Sequence, residues 1–213
     1  MQTQIQHSTK HTTTYNTGIG FHYYPDELHY RSTDIDYWLP KLQNLGASWL
    51  TLVSSTNRSI PETFLSPLVQ SGIEPIIHIK TDYIKSLDID VIKSTMRAYA
   101  NWRIKYICVF DCPNMRMAWK TGHFEQKRLA ERFVDCWTPI AQLQIACGLP
   151  AILPPLYQGG IYWDTSFLST VLKAIIDRQH QEIMDNLTLG IYALAGPHPA
   201  DWGRGGNKAW PAS

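Results

Sequence analysis

Short apolar runs rich in aromatic and β-branched residues alternate along this chain with longer stretches whose apolar positions fall three and four apart. The first run, TGIGFHYY at 17–24, reads as a strand, and behind it Ile35, Trp38, Leu39, Leu42 and Leu45 form one helical stripe that ends at Gly46. Ser32 and Thr33 stand where a helix cap is expected. SWLTLV (48–53) opens a second unit, whose helix carries Phe64, Leu65, Leu68 and Val69 and stops at Gly72. EPIIHI (74–79) is the third strand, followed by a helix with Val91, Ile92, Met96 and Tyr99 on its apolar face. The fourth run, YICVF, breaks abruptly into Asp111, Cys112, Pro113 and Asn114, and a long helix through Leu129, Phe133, Trp137 and Ile140 closes at Gly148. PAILPPL (150–156), a helix through Phe167, Leu168, Val171, Leu172, Ile175 and Ile176, and LTLGIYALA (187–195) complete the pattern.

Six βα repeats require a parallel sheet, because each strand needs a crossover helix to return to the same end. Two architectures fit: a doubly wound open sheet and a barrel. In GIGFHYYP, bulky aromatics stand where a dinucleotide-binding loop needs glycine, which disfavours the first. The expected fold class is therefore α/β, a TIM-like (β/α)8 barrel that is incomplete, with about six βα units and its last strands missing. Residues 1–16 read as a flexible polar leader and 17–213 as one partial barrel domain.

The 213 residues are 44% hydrophobic and 17% charged, an ordinary globular balance. With 19 basic and 18 acidic residues the net charge is +1, so no electrostatic footprint points to nucleic acid or to an anionic membrane surface. The N-terminus has no apolar core of signal-peptide length and no apolar run approaches about 18 residues, so a cytoplasmic location is expected. Cys108, Cys112, Cys136 and Cys147 form no CxxC pair and read as core thiols. Aromatic residues make up 12% of the chain, an excess that suits carbohydrate or peptide grooves as well as core packing.

In a barrel the C-terminal ends of the strands form the functional face. The residues ending the runs are His22, Tyr23 and Tyr24; Ser54, Ser55 and Asn57; His78, Lys80 and Asp82; Asp111, Cys112 and Asn114; Tyr157 and Gln158; and Tyr192, His198 and Trp202. This polar and aromatic rim suits a hydroxyl-rich ligand. Its substrate-binding candidates are His22, Tyr23, Tyr24, His78, Asn114, Tyr157, Tyr192 and Trp202. His22, His78 and Cys112 are residue types that ligate metals, but neither His22 nor His78 has a second histidine at HxH or HxxxH spacing, so neither a metal nor a cofactor is expected.

Taken together, GIGFHYY, LQNLGASWLTLV, GIEPIIHI and IKYICVFDCPN resemble the first half of the retaining (β/α)8 glycoside hydrolases of the cellulase-like clan. LPPLYQGGIYWD and HPADWGRGGNKAWP look like segments of the same group. In that family strand four ends in Asn-Glu-Pro-Asn, where the Glu is the acid/base and the first Asn holds the sugar 2-hydroxyl. Here Asp111 replaces that Asn and Cys112 the Glu, while Pro113 and Asn114 remain. The family's second Glu, the nucleophile, ends strand seven, beyond the six strands counted here. Retaining hydrolysis needs two carboxyl groups about 5 to 5.5 Å apart, so the resemblance implies a barrel that has lost hydrolysis and keeps carbohydrate binding. Strand alternation would also send Asp111 and Cys112 to opposite faces, leaving Asp111 unable to take over without a bulge.

Two further readings stay open. One is a truncated or split glycosidase whose open sheet edges recruit a partner chain or a second copy. The other is a hydrolase in which His78 activates Cys112 and Asp111 orients the histidine.

Overall fold

The computed structural model describes residues 16–192; Ala193, His198 and Trp202 lie outside the described residues. Among the described residues the elements run β1 (Gly20–His22), α1 (Ser32–Asn44), β2 (Trp49–Ser54), α2 (Glu62–Gln70), β3 (Glu74–Ile79), α3 (Ile89–Asn101), β4 (Tyr106–Val109), α4 (Leu129–Ala146), β5 (Ala151–Leu153), α5 (Asp164–Asp177), α6 (Gln181–Asp185) and β6 (Leu187–Leu189), strands alternating with helices except for the extra short α6 before β6. Every strand pair is parallel, β1-β2-β3-β4 forming one sheet and β5-β6 a second. The fold is α/β, an incomplete barrel that does not close.

Several strands are shorter than the apolar runs that announce them. β5 ends at Leu153 because Pro154 and Pro155 follow, and proline donates nothing to a ladder. β6 ends at Leu189, after which Gly190 N–H donates to Leu153 O at 2.8 Å and the chain leaves the sheet. Ile191, read as an interior residue of that strand, is consequently 75% exposed. At α1 the cap differs from the expected one: Ser32 is already helical, Arg31 is the N-cap, and the Asp34 carboxylate reaches back to accept from Arg31 N–H at 2.9 Å. Val91 and Ile176, assigned to apolar helix faces, are exposed, whereas Ile92, Met96, Tyr99, Val171 and Ile175 on the same helices are buried.

Residues paired across a parallel ladder point to the same face. Leu50, Leu52, Ile77, Ile79, Ile107 and Val109 share the face covered by the helices and are buried to 1% or less. The opposite face carries His22, Thr51, Val53, Ile76, His78, Tyr106 and Cys108, and most of it is half-exposed because no strands close the barrel over it. The core therefore lies between sheet and helices, not inside the barrel.

No ladder joins β4 to β5. α4 bridges the seam instead: the fully buried Gln144 donates from Nε2 to Ile107 O at 2.6 Å and accepts at Oε1 from Ile152 N–H at 3.3 Å, while Trp137 Nε1 donates to Ile152 O at 3.0 Å. Past the ends of both strands, Cys112 N–H donates to Pro155 O at 3.1 Å. Buried backbone groups must be paired, and here side chains of a helix do what a strand neighbour would.

Two predictions arise. Gln144→Leu keeps the volume but strands a buried carbonyl and a buried N–H, and should cost about 2 to 4 kcal/mol, read as a lowered denaturant midpoint with an unchanged slope. Among the described residues neither the outer edge of β1 nor that of β6 has a partner strand, so sedimentation across a wide concentration range should show self-association; a monodisperse monomer with a cooperative melt would show that the edges are covered within one chain.

Candidate functional site

β4 ends at Val109, and the segment that follows is unlike an ordinary strand exit. Phe110 and Cys112 both adopt left-handed backbone conformations, with φ of 72° and 42°. For side chains of this kind such conformations are uncommon and cost on the order of 1 to 3 kcal/mol each. Specific bonds hold them. Phe110 N–H donates to Ile79 O at 3.3 Å, its carbonyl accepts from His78 Nε2 at 2.8 Å, and its ring is buried against Phe133 of α4 at 6.5 Å between centroids. By alternation Phe110 would have followed Tyr106 and Cys108 onto the open face; the left-handed turn sends it to the helix layer instead.

The same turn overturns the expectation that Asp111 and Cys112 face opposite ways. Both line one cavity of about 250 Å³ at the C-terminal ends of β3, β4 and β5, together with Lys80, Asp82, Met115 and Tyr157. Cys112 Sγ donates to Asp111 Oδ1 at 3.3 Å, and the Tyr192 hydroxyl donates to the same oxygen at 3.0 Å. Asp111 Oδ2 has no bond to a described residue. Burial, and then the Asp111 charge and its hydrogen bond, push the Cys112 thiol up to about 12. Burial, followed by the same carboxylate, raises Tyr192 as well. Asp111 is thus a carboxylate fixed by two donors that themselves stay protonated.

Asn114 sits behind this cavity. It is fully buried, and its amide is engaged with the β5–α5 loop: Nδ2 donates to Tyr157 O at 2.8 Å and Tyr162 O at 3.0 Å, and Oδ1 accepts from Tyr157 N–H at 2.9 Å. A side chain at Gly160 would collide with Asn114 Nδ2, so the loop needs glycine there. Asn114 therefore positions Tyr157, which presents its ring to solvent at the cavity rim.

The other sequence candidates are dispersed. His78 is buried on the open sheet face, with its Nε2 engaged by Phe110 O; burial first of all depresses its pKa and keeps it neutral. The Cys112 thiol donates to Asp111 rather than to His78, so no Cys-His pair forms. His22 is exposed on the same sheet face, two strands away from His78 and one row earlier. With Tyr23 and Tyr24 it lines a separate, mainly apolar cavity of about 430 Å³ against Trp38 and Leu45. Tyr23 donates its hydroxyl to His29 O at 3.0 Å, and Tyr24 stacks on His29 with centroids 3.8 Å apart. Sequence reasoning missed Trp38 and Met115 as cavity residues, since both read as packing; the helical stripe carried no sign that α1 lacks a neighbour on one side. Among the described residues no group of three or more His, Cys, Asp or Glu side chains is placed to hold a metal ion. Nor is any helix there long and apolar enough to cross a membrane.

No protein-family model matches the chain, and none of the curated proteins matches it. Among solved structures it is similar to a D-psicose 3-epimerase from Clostridium cellulolyticum H10, solved with D-tagatose, at 16% identity and a TM-score of 0.47. That similarity covers 81% of this chain and 62% of the other, so the chain spans less than two thirds of the enzyme's length.

The thiol assignment has a direct test. At pH 8 a cysteine near its usual pKa is about a tenth thiolate, whereas one at 12 is about one part in ten thousand. Alkylation of Cys112, followed by peptide mass spectrometry, should be slower than that of a free cysteine by about two orders of magnitude or more, and Asp111→Asn should accelerate it at least about tenfold by removing the charge that opposes ionisation.

Proposed function

We propose that the chain is a carbohydrate-binding barrel protein that does not hydrolyse glycosides, with the Asp111 cavity as its binding site. The observation carrying this reading is the fixed carboxylate: Tyr192 and Cys112 occupy Asp111 Oδ1, which leaves Oδ2 to accept from a ligand hydroxyl. Lys80 and Asp82 add a donor and an acceptor at the same cavity, and the exposed ring of Tyr157 offers a stacking face. Convergent polar groups beside one aromatic face are the chemistry that recognises a sugar.

The resemblance to cellulase-like glycosidases supports the substrate class, and the position of Cys112 argues against the reaction. An acid/base must give up its proton near neutral pH. A thiol at about 12 holds it, and it brings no negative charge to an oxocarbenium ion. The same pKa counts against Cys112 as a nucleophile, since the thiolate is the reactive form and Asp111 opposes it.

Calorimetric or NMR titration with neutral hexoses and short β-glucans should detect binding that Asp111→Asn weakens about tenfold, roughly the loss of one charge-assisted hydrogen bond. Aryl glycosides should not turn over, either with the unmodified chain or with Cys112→Glu, because two carboxylates in the retaining geometry are required. Hydrolysis by the unmodified chain that Cys112→Ser abolishes would overturn this reading in favour of cysteine chemistry. A failure of every sugar to bind would overturn it without favouring either alternative.

A further inference from the structure

A second polar cavity, of about 210 Å³, opens between the loop after β1 and the loop after β2. Its polar lining is Glu27, Tyr30, Arg31, Ser54, Arg58 and Ser59. Half of these are already engaged. The Tyr30 hydroxyl donates to Val53 O at 2.6 Å, Ser54 Oγ bonds Arg58 O at 3.0 Å and the Tyr99 hydroxyl at 2.8 Å, and Glu27 Oε2 accepts from Ser55 Oγ at 3.1 Å. The two guanidinium groups differ: neither Arg31 nor Arg58 forms an ion pair among the described residues, whereas Arg116, Arg128 and Arg178 do. What the cavity has left to offer is therefore mainly cationic, two guanidinium groups that carry five N–H donors each and no acceptor.

We propose that this cavity binds the phosphoryl group of a small phosphomonoester, with Arg31 and Arg58 reaching it from adjacent loops. The geometry of oxyanions favours phosphate over carboxylate. One guanidinium fork already matches the single charge and the two oxygens of a carboxylate, so a second arginine adds positive charge that the ligand does not balance. A phosphomonoester presents three terminal oxygens and about −1.5 to −2 charges near neutral pH, enough for two forks. Glu27 does not cancel the site, because its carboxylate is turned to Ser55, and it is placed to accept from a hydroxyl on the rest of the ligand. This proposal does not rest on carbohydrate binding at Asp111, which belongs to a different cavity.

Isothermal titration of the full chain with inorganic phosphate tests it. The unmodified protein should bind phosphate saturably, Arg31→Gln and Arg58→Gln should each weaken binding about tenfold, and the double variant should bind none. Both arginines are exposed, so the variants should keep the parent melting temperature in phosphate-free buffer, which separates loss of binding from loss of fold. Asp111→Asn should bind phosphate like the parent. Undiminished binding in the double variant would mean an adventitious ion only, and acetate binding as tightly as phosphate would mean a carboxylate site; either result, or no phosphate binding by the unmodified protein, overturns the proposal.

Discussion

The arrangement of this molecule turns on one buried amide. Between β4 and β5 the parallel ladder is interrupted, and Gln144 of α4 fills the gap by donating to one strand and accepting from the next. An unpaired peptide group in so dry a place would cost about 1 to 3 kcal/mol, and two would be left there without the glutamine. Because Gln144 is anchored on the same helix face that packs Phe133, Trp137 and Ile140 into the core, α4 sets the distance between the two sheets. Everything that converges at the top of the seam depends on that distance, including the bond from Cys112 N–H to Pro155 O that ties the end of β4 to the end of β5.

The Asp111 cavity is built directly above this seam, and its geometry has an energetic cost that the seam sustains. Two left-handed residues within three positions are unfavourable unless their surroundings over-determine them. Here they are over-determined. Phe110 is bonded through both N–H and C=O and has its ring in the core, while Asn114 fastens the next turn to the loop carrying Tyr157. What the strain achieves is a change of direction: Asp111 and Cys112, neighbours in sequence, meet at one oxygen. A regular strand would have kept them apart.

The order and type of the strands and the five longer helices were legible in the sequence because helix stripes and apolar runs are set by local periodicity, and β3 begins and ends where its run does, whereas the five-residue α6 is too short to show a stripe. Strand ends were less so, since Pro154, Pro155 and Gly190 act on ladder bonds that no periodicity reports. The candidate site was half legible. Asp111, Cys112, Tyr157 and Tyr192 meet, as strand ends should, but the parity argument failed at Phe110, where tertiary packing against Phe133 overrode the pleat. His22, Tyr23 and Tyr24 went to a different cavity because, among the described residues, β1 has no strand neighbour on its outer side, and nothing in a single strand's residues says whether its edge is covered. Gln144 reads as a polar interruption of an apolar helix face, and only the seam explains it.

A cysteine and a carboxylic acid differ decisively as proton donors, and the surroundings of Cys112 widen the difference. A thiol alone would ionise at mildly alkaline pH; one beside a carboxylate, half-buried and donating to that carboxylate, does not. Each interaction that makes Asp111 a well-oriented acceptor therefore also locks the proton on its neighbours, because the donors that orient a carboxylate are stabilised in their neutral forms by its charge. With Tyr192 and Cys112 as the donors, the Asp111 site presents a fixed acceptor and releases no proton near neutral pH.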